Sequence, residues 1–190
     1  TGYWGISKTF HSFRIQPIYN YQKIFCHFSI IFGKNSIVMH HLLMKLQDQL
    51  DGDLYTDKKT RLLYATDASA YRELPIAVAR PKNKEDIRAL IHFANRTKTG
   101  LIPRTAGTSL AGQVVGSGIV VDVSRYMTEI IELNEEEKWV RVQPGVILDE
   151  LNMALEDKGL FFGPETSTSN RCMMGGMVGN NACGSHSIIY

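Results

Sequence analysis

Pro103-Arg104-Thr105-Ala106-Gly107-Thr108-Ser109-Leu110-Ala111-Gly112-Gln113-Val114-Val115-Gly116-Ser117-Gly118 is the stretch from which the rest of the chain is read. The apolar pair Leu101-Ile102 precedes it, and Ile119-Val120-Val121-Asp122-Val123 follows with the pattern of a buried strand. A loop holding four glycines therefore lies between two strands. Glycine admits positive φ because it has no Cβ. Successive N–H groups can then turn to one side and form an anion nest. Thr105, Thr108 and Ser109 add hydroxyl donors. The guest suited to such a loop is a phosphate or pyrophosphate; the competing reading is a flexible surface connection, as many Gly/Ser runs are.

Two familiar phosphate loops fail here. A Walker loop needs Gly-x4-Gly-Lys-Ser/Thr; Gly107 and Gly112 have the spacing, but Gln113-Val114 stand where the Lys and hydroxyl should be. The Rossmann fingerprint runs from a strand into a helix, whereas Gly116-Ser117-Gly118 runs into a strand. What is left is a pyrophosphate cradle of the strand-loop-strand kind.

Composition narrows the partners. A chain of 190 residues with 44% hydrophobic content has room for one domain or two small ones. The formal charge is +2, unevenly spread: residues 1–47 hold five Lys/Arg and no acid, and the remainder holds 16 basic and 19 acidic groups. A mildly acidic body argues against nucleic acid. Cys26, Cys172 and Cys183 form no CxxC pair, so neither metal ligation nor a disulfide framework is expected. No apolar run approaches the ~20 residues of a membrane span.

Residues 1–38 are aromatic, basic, acid-free and aperiodic. A targeting segment, an irregular extension and upstream sequence ahead of a true start at Met39 or Met44 all fit. The abrupt change near Met39 favours the last, so residues 1–38 are expected to lie outside the domain. Beyond them, Ile37 to Leu50 reads as an amphipathic helix, and Lys58-Lys59 as a turn between two apolar runs. Asp67 to Pro75 reads as a loop. Ile76 to Ala79 reads as a strand. Asn83 caps a helix running to about Thr97 and ending at Gly100, and Leu101 to Pro103 is the next strand. This is a βαβ unit with parallel strands. Glu129–Leu133 and Trp139–Val142 form a hairpin about Asn134–Lys138, Val146 to Asp157 a helix, and Leu160-Phe161-Phe162 a short buried strand.

A second small-residue stretch then spans Gly163 to Gly184, about sixty residues after the first. Met173, Met174 and Met177 within it either cover an apolar ring or belong to the core. Two such loops, each after a short strand, suit one large two-ended cofactor.

Four motifs in order resemble the flavin-binding (PCMH-type) domain of vanillyl-alcohol-oxidase-type flavoenzymes, nearest to the D-lactate dehydrogenase and glycolate oxidase flavin subunits. They are Asp67-x-Ser69-x-Tyr71 leading to Pro75-x-Ala77-Val78 and Pro81; Pro103-x4-Gly107-Thr108-Ser109-Leu110-x-Gly112; Val142-x-Pro144-Gly145-Val146; and Pro164-Glu165 followed by Gly175-Gly176-x4-Asn181-Ala182-x-Gly184. The resemblance covers about Leu54 to Tyr190. It implies an α+β fold with a small βαβ subdomain (76–125) and the start of a second α+β subdomain (126–190) carrying a mixed or antiparallel sheet, within an FAD-binding domain over 39–190.

The resemblance further implies FAD, gripped at its pyrophosphate by Arg104, Thr105, Ala106, Gly107, Thr108 and Ser109, with Gly112 and Gln113 beside them. Pro164, Glu165, Ser167, Thr168, Ser169, Gly175, Gly176, Asn180, Asn181 and Gly184 would follow the ribityl chain and isoalloxazine. Met173 departs from the family, whose members usually carry Ser or Thr two residues before Gly175. No His stands in the glycine loop, so the FAD is expected to be non-covalent. The family's substrate domain is expected beyond Tyr190, so no catalytic residue is assigned; His186 near the end could face the flavin. The implied activity is oxidation of a 2-hydroxy acid, of D-lactate or glycolate type, by hydride transfer to flavin N5. Phe161 to Arg171 resembles a branch paired with a downstream iron–sulfur half. A cytoplasmic location follows, with any tie to the inner membrane made through that partner. The rivals are a reductase of cell-wall precursor synthesis (UDP-N-acetylenolpyruvoylglucosamine reductase) and an inert fragment with partial affinity for FAD.

Overall fold

The computed structural model describes residues 36–188. The extension read over residues 1–38 therefore lies, up to residue 35, outside the described residues. Helix α1 (Ser36–Gln47) is followed by strand β1 (Asp53–Tyr55), helix α2 (Lys58–Leu63), strand β2 (Ala77–Arg80), helix α3 (Lys84–Thr97), and strands β3 (Leu101–Arg104) and β4 (Ile119–Asp122). The chain continues through β5 (Ile130–Asn134), β6 (Trp139–Val142), α4 (Leu148–Glu156) and α5 (Met174–Gly179). No described helix is long and apolar enough to cross a membrane.

The first sheet has the order β1-β2-β4-β3. Strand β1 runs antiparallel to β2, and both β2 and β3 run parallel to β4. The expected βαβ unit is present, but β4 inserts between its two strands. Burial explains the insertion: all four residues of β4 are buried, so the most apolar strand takes a central place. Leu43 and Leu46 of α1, and Leu90 and Phe93 of α3, pack with Leu54, Ala77, Ala79, Ile119 and Val121 as one core. Helix α3 starts as its sequence dictates, with Asn83 Oδ1 accepting from the Asp86 amide at 2.9 Å. It runs to Thr97 as expected, and its left-handed cap is Lys98 at φ 56° rather than Gly100.

Lys58 and Lys59 do not form the expected turn. They open α2, because Asp57 caps it by accepting from the Thr60 amide at 2.9 Å. The hairpin β5–β6 forms as expected, its turn closing at Lys138 with φ 56°. Helix α4 turns Leu148, Leu151 and Leu155 onto a second core with Val140, Val146, Phe162, Cys172, Met174 and Met177. Leu160 to Phe162 is not a strand: the Leu160 amide closes the end of α4 by donating to Leu155 O (3.2 Å), and the Phe162 amide donates to Asn152 Oδ1 (2.7 Å). The run is apolar, yet its N–H groups serve the helix rather than a ladder.

Candidate functional site

The glycine loop joins β3 to β4, which are neighbours and parallel, so its residues 105–118 are themselves the crossover. Parallel pairs usually cross over through a helix. Here the helix is replaced by a loop that turns at Gly107 (φ 69°) and Gly112 (φ 74°), where an L side chain would be strained. Among the described residues, the six amides from Thr105 to Leu110 find no acceptor; the next, Ala111, donates weakly to Ser109 Oγ at 3.4 Å. Arg104 ends β3 with its guanidinium donating to Thr66 O at 2.8 Å and stacked on the Tyr64 ring, 5.2 Å from its centroid. Among the described residues no carboxylate lies within ion-pair distance of it.

The second stretch contains a helix that was not expected. In α5 the Met174 and Gly175 amides donate to Val146 O (2.9 Å) and Pro144 O (2.8 Å), docking the helix on the turn after β6. Met174 and Met177 are 2% and 4% exposed, so these two are core side chains and do not cover a ring; Met173 is half-buried and bridges to Ile147. Upstream, Thr168 O accepts from Arg171 and Cys172, and Ser169 O accepts from the Asp149 amide, so Ser167, Thr168 and Ser169 form a turn against the start of α4. Pro164 and Glu165 lie beside the far end of the stretch. Gly184 (φ 80°) backs onto Glu165, and Glu165 Oε1 accepts from Ser185 Oγ (2.8 Å) and is hydrogen-bonded to His186 Nδ1. The Ser185 hydroxyl first, and His186 second, hold the Glu165 carboxyl below its ordinary value. His186 is thus tied to Glu165. Asn181 sits in the left-handed region at φ 51°.

The two stretches meet. A Cβ on Gly176 would lie 2.5 Å from Thr105 Oγ1, so α5 approaches the glycine loop as closely as it does only because that position is bare. Gln113 Nε2 donates to Asn180 Oδ1 at 2.5 Å across 67 residues of sequence. Thr105 and Gln113 on one side therefore touch Gly176 and Asn180 on the other, and the two stretches share one junction.

Sequence reasoning gave no role to the polar frame beside Arg104. Tyr64 OH donates to Asp122 Oδ2 at 2.5 Å and accepts from Arg80 Nη2 at 2.8 Å. Asp122 is only 5% exposed, and its other oxygen takes the Ser124 amide and hydroxyl. Burial first, then the bond to Asp122, raises the Tyr64 phenol above its usual value, so it stays a donor. The available signal was that Arg80, Arg104 and Asp122 each end one of the parallel strands, the edge where open α/β sheets hold ligands.

The chain matches the family described as FAD binding domain over residues 75–190. It belongs to that family. Its cofactor is therefore FAD, and the fold is the mixed α+β fold of PCMH-type flavoproteins. The FAD-binding domain is 47% identical over 143 residues to a D-2-hydroxyglutarate dehydrogenase of Haemophilus influenzae, covering 74% of this chain and 14% of that protein. It is 33% identical over 132 residues to glycolate oxidase subunit GlcD of Bacillus subtilis, covering 68% of this chain and 28% of that protein. A solved alkyldihydroxyacetonephosphate synthase shares the fold with a TM-score of 0.68 at 19% identity, over 80% of this chain and 31% of that one. The domain thus spans about a seventh to a third of the length of these proteins.

The residues at this junction suit the cofactor: main-chain amides with no acceptor, and a guanidinium with no carboxylate partner, among the described residues are what a diphosphate requires. The space beside Gly107, Gly112 and Gly176 is taken by Arg104, Tyr71 and Thr105, which a Cβ there would meet at 2.7, 2.6 and 2.5 Å, so these glycines permit the close packing of the loop.

Proposed function

We propose that this domain is the FAD-holding part of an oxidoreductase that oxidises a 2-hydroxy acid. The observation that carries the reading is the meeting of the two loops at Thr105/Gly176 and Gln113/Asn180, beside amides that have no acceptor. The hydroxy-acid class is supported by the names of the relatives, since 2-hydroxyglutarate and glycolate are both 2-hydroxy acids. Thr105 to Ser109 would hold the pyrophosphate through main-chain N–H groups. Gly112 gives the loop its second turn, and Gln113 with Asn180 would close the edge of the junction. Pro164, Glu165 and the segment Gly175 to Gly184 would flank the ribityl chain and ring. When bound, FAD supplies the hydride acceptor for oxidation of C–OH to C=O. The glycine loop offers no His for a covalent bond, so the cofactor is held by these contacts alone. A further domain or subunit belongs to this reading, because GlcD is by its name a subunit; that it carries iron–sulfur rests on the resemblance of Phe161 to Arg171 alone.

Titration of FAD into the chain tests the binding. Quenched flavin fluorescence that saturates, with all flavin released into the supernatant on acid precipitation, is the expected outcome. Fluorescence unchanged at excess protein removes the reading. In an enzyme containing this domain, anaerobic addition of D-2-hydroxyglutarate or glycolate should bleach the flavin; an unbleached flavin with every 2-hydroxy acid tried removes the substrate class.

A further inference from the structure

The loop between Ala65 and Glu73 has no part in the function so far. Its base is closed by the Glu73 amide donating to Ala65 O at 2.9 Å and by the Thr66–Arg72 bridge. Its tip is braced from within: Asp67 Oδ1 accepts from the Ser69 amide (2.8 Å), and Ser69 Oγ accepts from the Tyr71 amide (3.1 Å). Three contacts then join it to the glycine loop. At the root, Arg104 donates to Thr66 O. At the first crook, the Ala68 amide donates to Gly107 O at 3.1 Å. At the second, the Tyr71 ring lies against Gly112, where a Cβ would come within 2.6 Å of Cδ2.

The middle contact has a direct electrostatic consequence. A trans peptide unit is planar, so the carbonyl of Gly107 and the N–H of Thr108 point in opposite directions. With the carbonyl held by Ala68, the Thr108 N–H faces away from the 65–73 loop. It joins the run of amides that has no acceptor. An unheld peptide unit would have to be oriented on binding; a held one presents its donor beforehand, which lowers the ordering cost of association. The Tyr71 ring restrains the loop at its other turn in the same way.

We propose that the Asp67–Tyr71 loop is a positioning element for a diphosphate, with Ala68 and Tyr71 as its two working contacts. The inference rests on the flavin reading for the identity of the nucleotide and on geometry for the anion. Calorimetry of the full chain with inorganic pyrophosphate, and separately with FAD, tests it on four variants. Ala68→Pro deletes the N–H and Ala68→Gly keeps it; Tyr71→Ala deletes the ring and Tyr71→Phe keeps it. Ala68→Pro and Tyr71→Ala are expected to weaken both ligands about tenfold, the size of one lost ordering contact, with the Gly and Phe variants close to wild type. If the melting temperature falls while affinity below the melt is unchanged, the loop is merely structural and the proposal is overturned. If pyrophosphate binds with this dependence and FAD does not bind, the proposal stands and the flavin reading falls. If the wild-type chain binds neither, both fall. Should Ala68→Pro fail to fold, the Tyr71 pair decides alone.

Discussion

Around Asp86, the amides of Asp51, Gly52 and Lys82 converge on a single carboxylate at 2.8, 3.0 and 2.8 Å, and that carboxylate is 2% exposed. Along the glycine loop, six consecutive amides have no acceptor among the described residues. Around Asp86 three backbone donors share an anion the chain carries itself; in the glycine loop a run of backbone donors has none among the described residues. The first arrangement ties the chain after α1 and the exit of β2 to the first turn of α3. On the reading proposed above, the second would receive an anion from outside, as the first receives the carboxylate of Asp86.

The comparison is broken most severely by Asp86→Ala. Three N–H groups lose a charged acceptor, and stability should fall by about 3 kcal/mol, or roughly 10 °C in melting temperature for a domain of this size. A melt within two or three degrees of wild type would show that water satisfies those amides equally well. Gly107→Val acts on the other side of the comparison. A β-branched residue at positive φ costs about 1–3 kcal/mol, and its side chain meets the Arg104 guanidinium, 2.7 Å from where Cβ would lie. FAD and pyrophosphate binding should be lost while the circular dichroism spectrum is retained; unchanged affinity would place the anion elsewhere. Gly176→Ala sharpens the junction of the two stretches. It should weaken FAD binding, and Thr105→Ala should restore part of the loss, giving a coupling energy on the order of 1 kcal/mol. Strictly additive losses would mean that the two loops do not meet there in solution. The smallest effect concerns Glu165. Its folded-state carboxyl is held below the ordinary glutamate range by Ser185 and then His186, so the tie is complete at and above that range and is lost as pH falls through the lowered value. NMR titration of the Glu165 side chain should give a midpoint below that of a free glutamate; a midpoint at or above it would dissolve the tie.

Much of the fold was legible because its signals are local. Asn83 with Glu85 and Asp86 announces α3, and the acidic turn between two apolar runs announces the β5–β6 hairpin. Strand order was not legible, since the placing of β4 between β2 and β3 depends on which strand the two helices bury most deeply. Helix α5 was missed because Gly175, Gly176 and Gly179 argue against helix on propensity alone; burial of Met174 and Met177 overrides that preference. Leu160 to Phe162 misled because an apolar run carries no mark of where its amides go, and here one goes to the side chain of Asn152. At the site, the resemblance supplied both loops but not their junction. The Gln113–Asn180 bond spans 67 residues, and no short-range pattern reports it. Tyr71 was visible as part of a motif, while its contact with Gly112 appears only in the folded chain.

The route from β3 to β4 carries one more consequence. The fourteen residues from Thr105 to Gly118 are the covalent bridge between two hydrogen-bonded strands and, on the reading proposed above, the bed for a nucleotide. On that reading a nucleotide bound there would stabilise the pairing of the two strands by linkage. Saturating the bed should slow deuterium uptake along Ile119 to Asp122, several residues from any ligand atom, and should make the sheet itself harder for a protease to open.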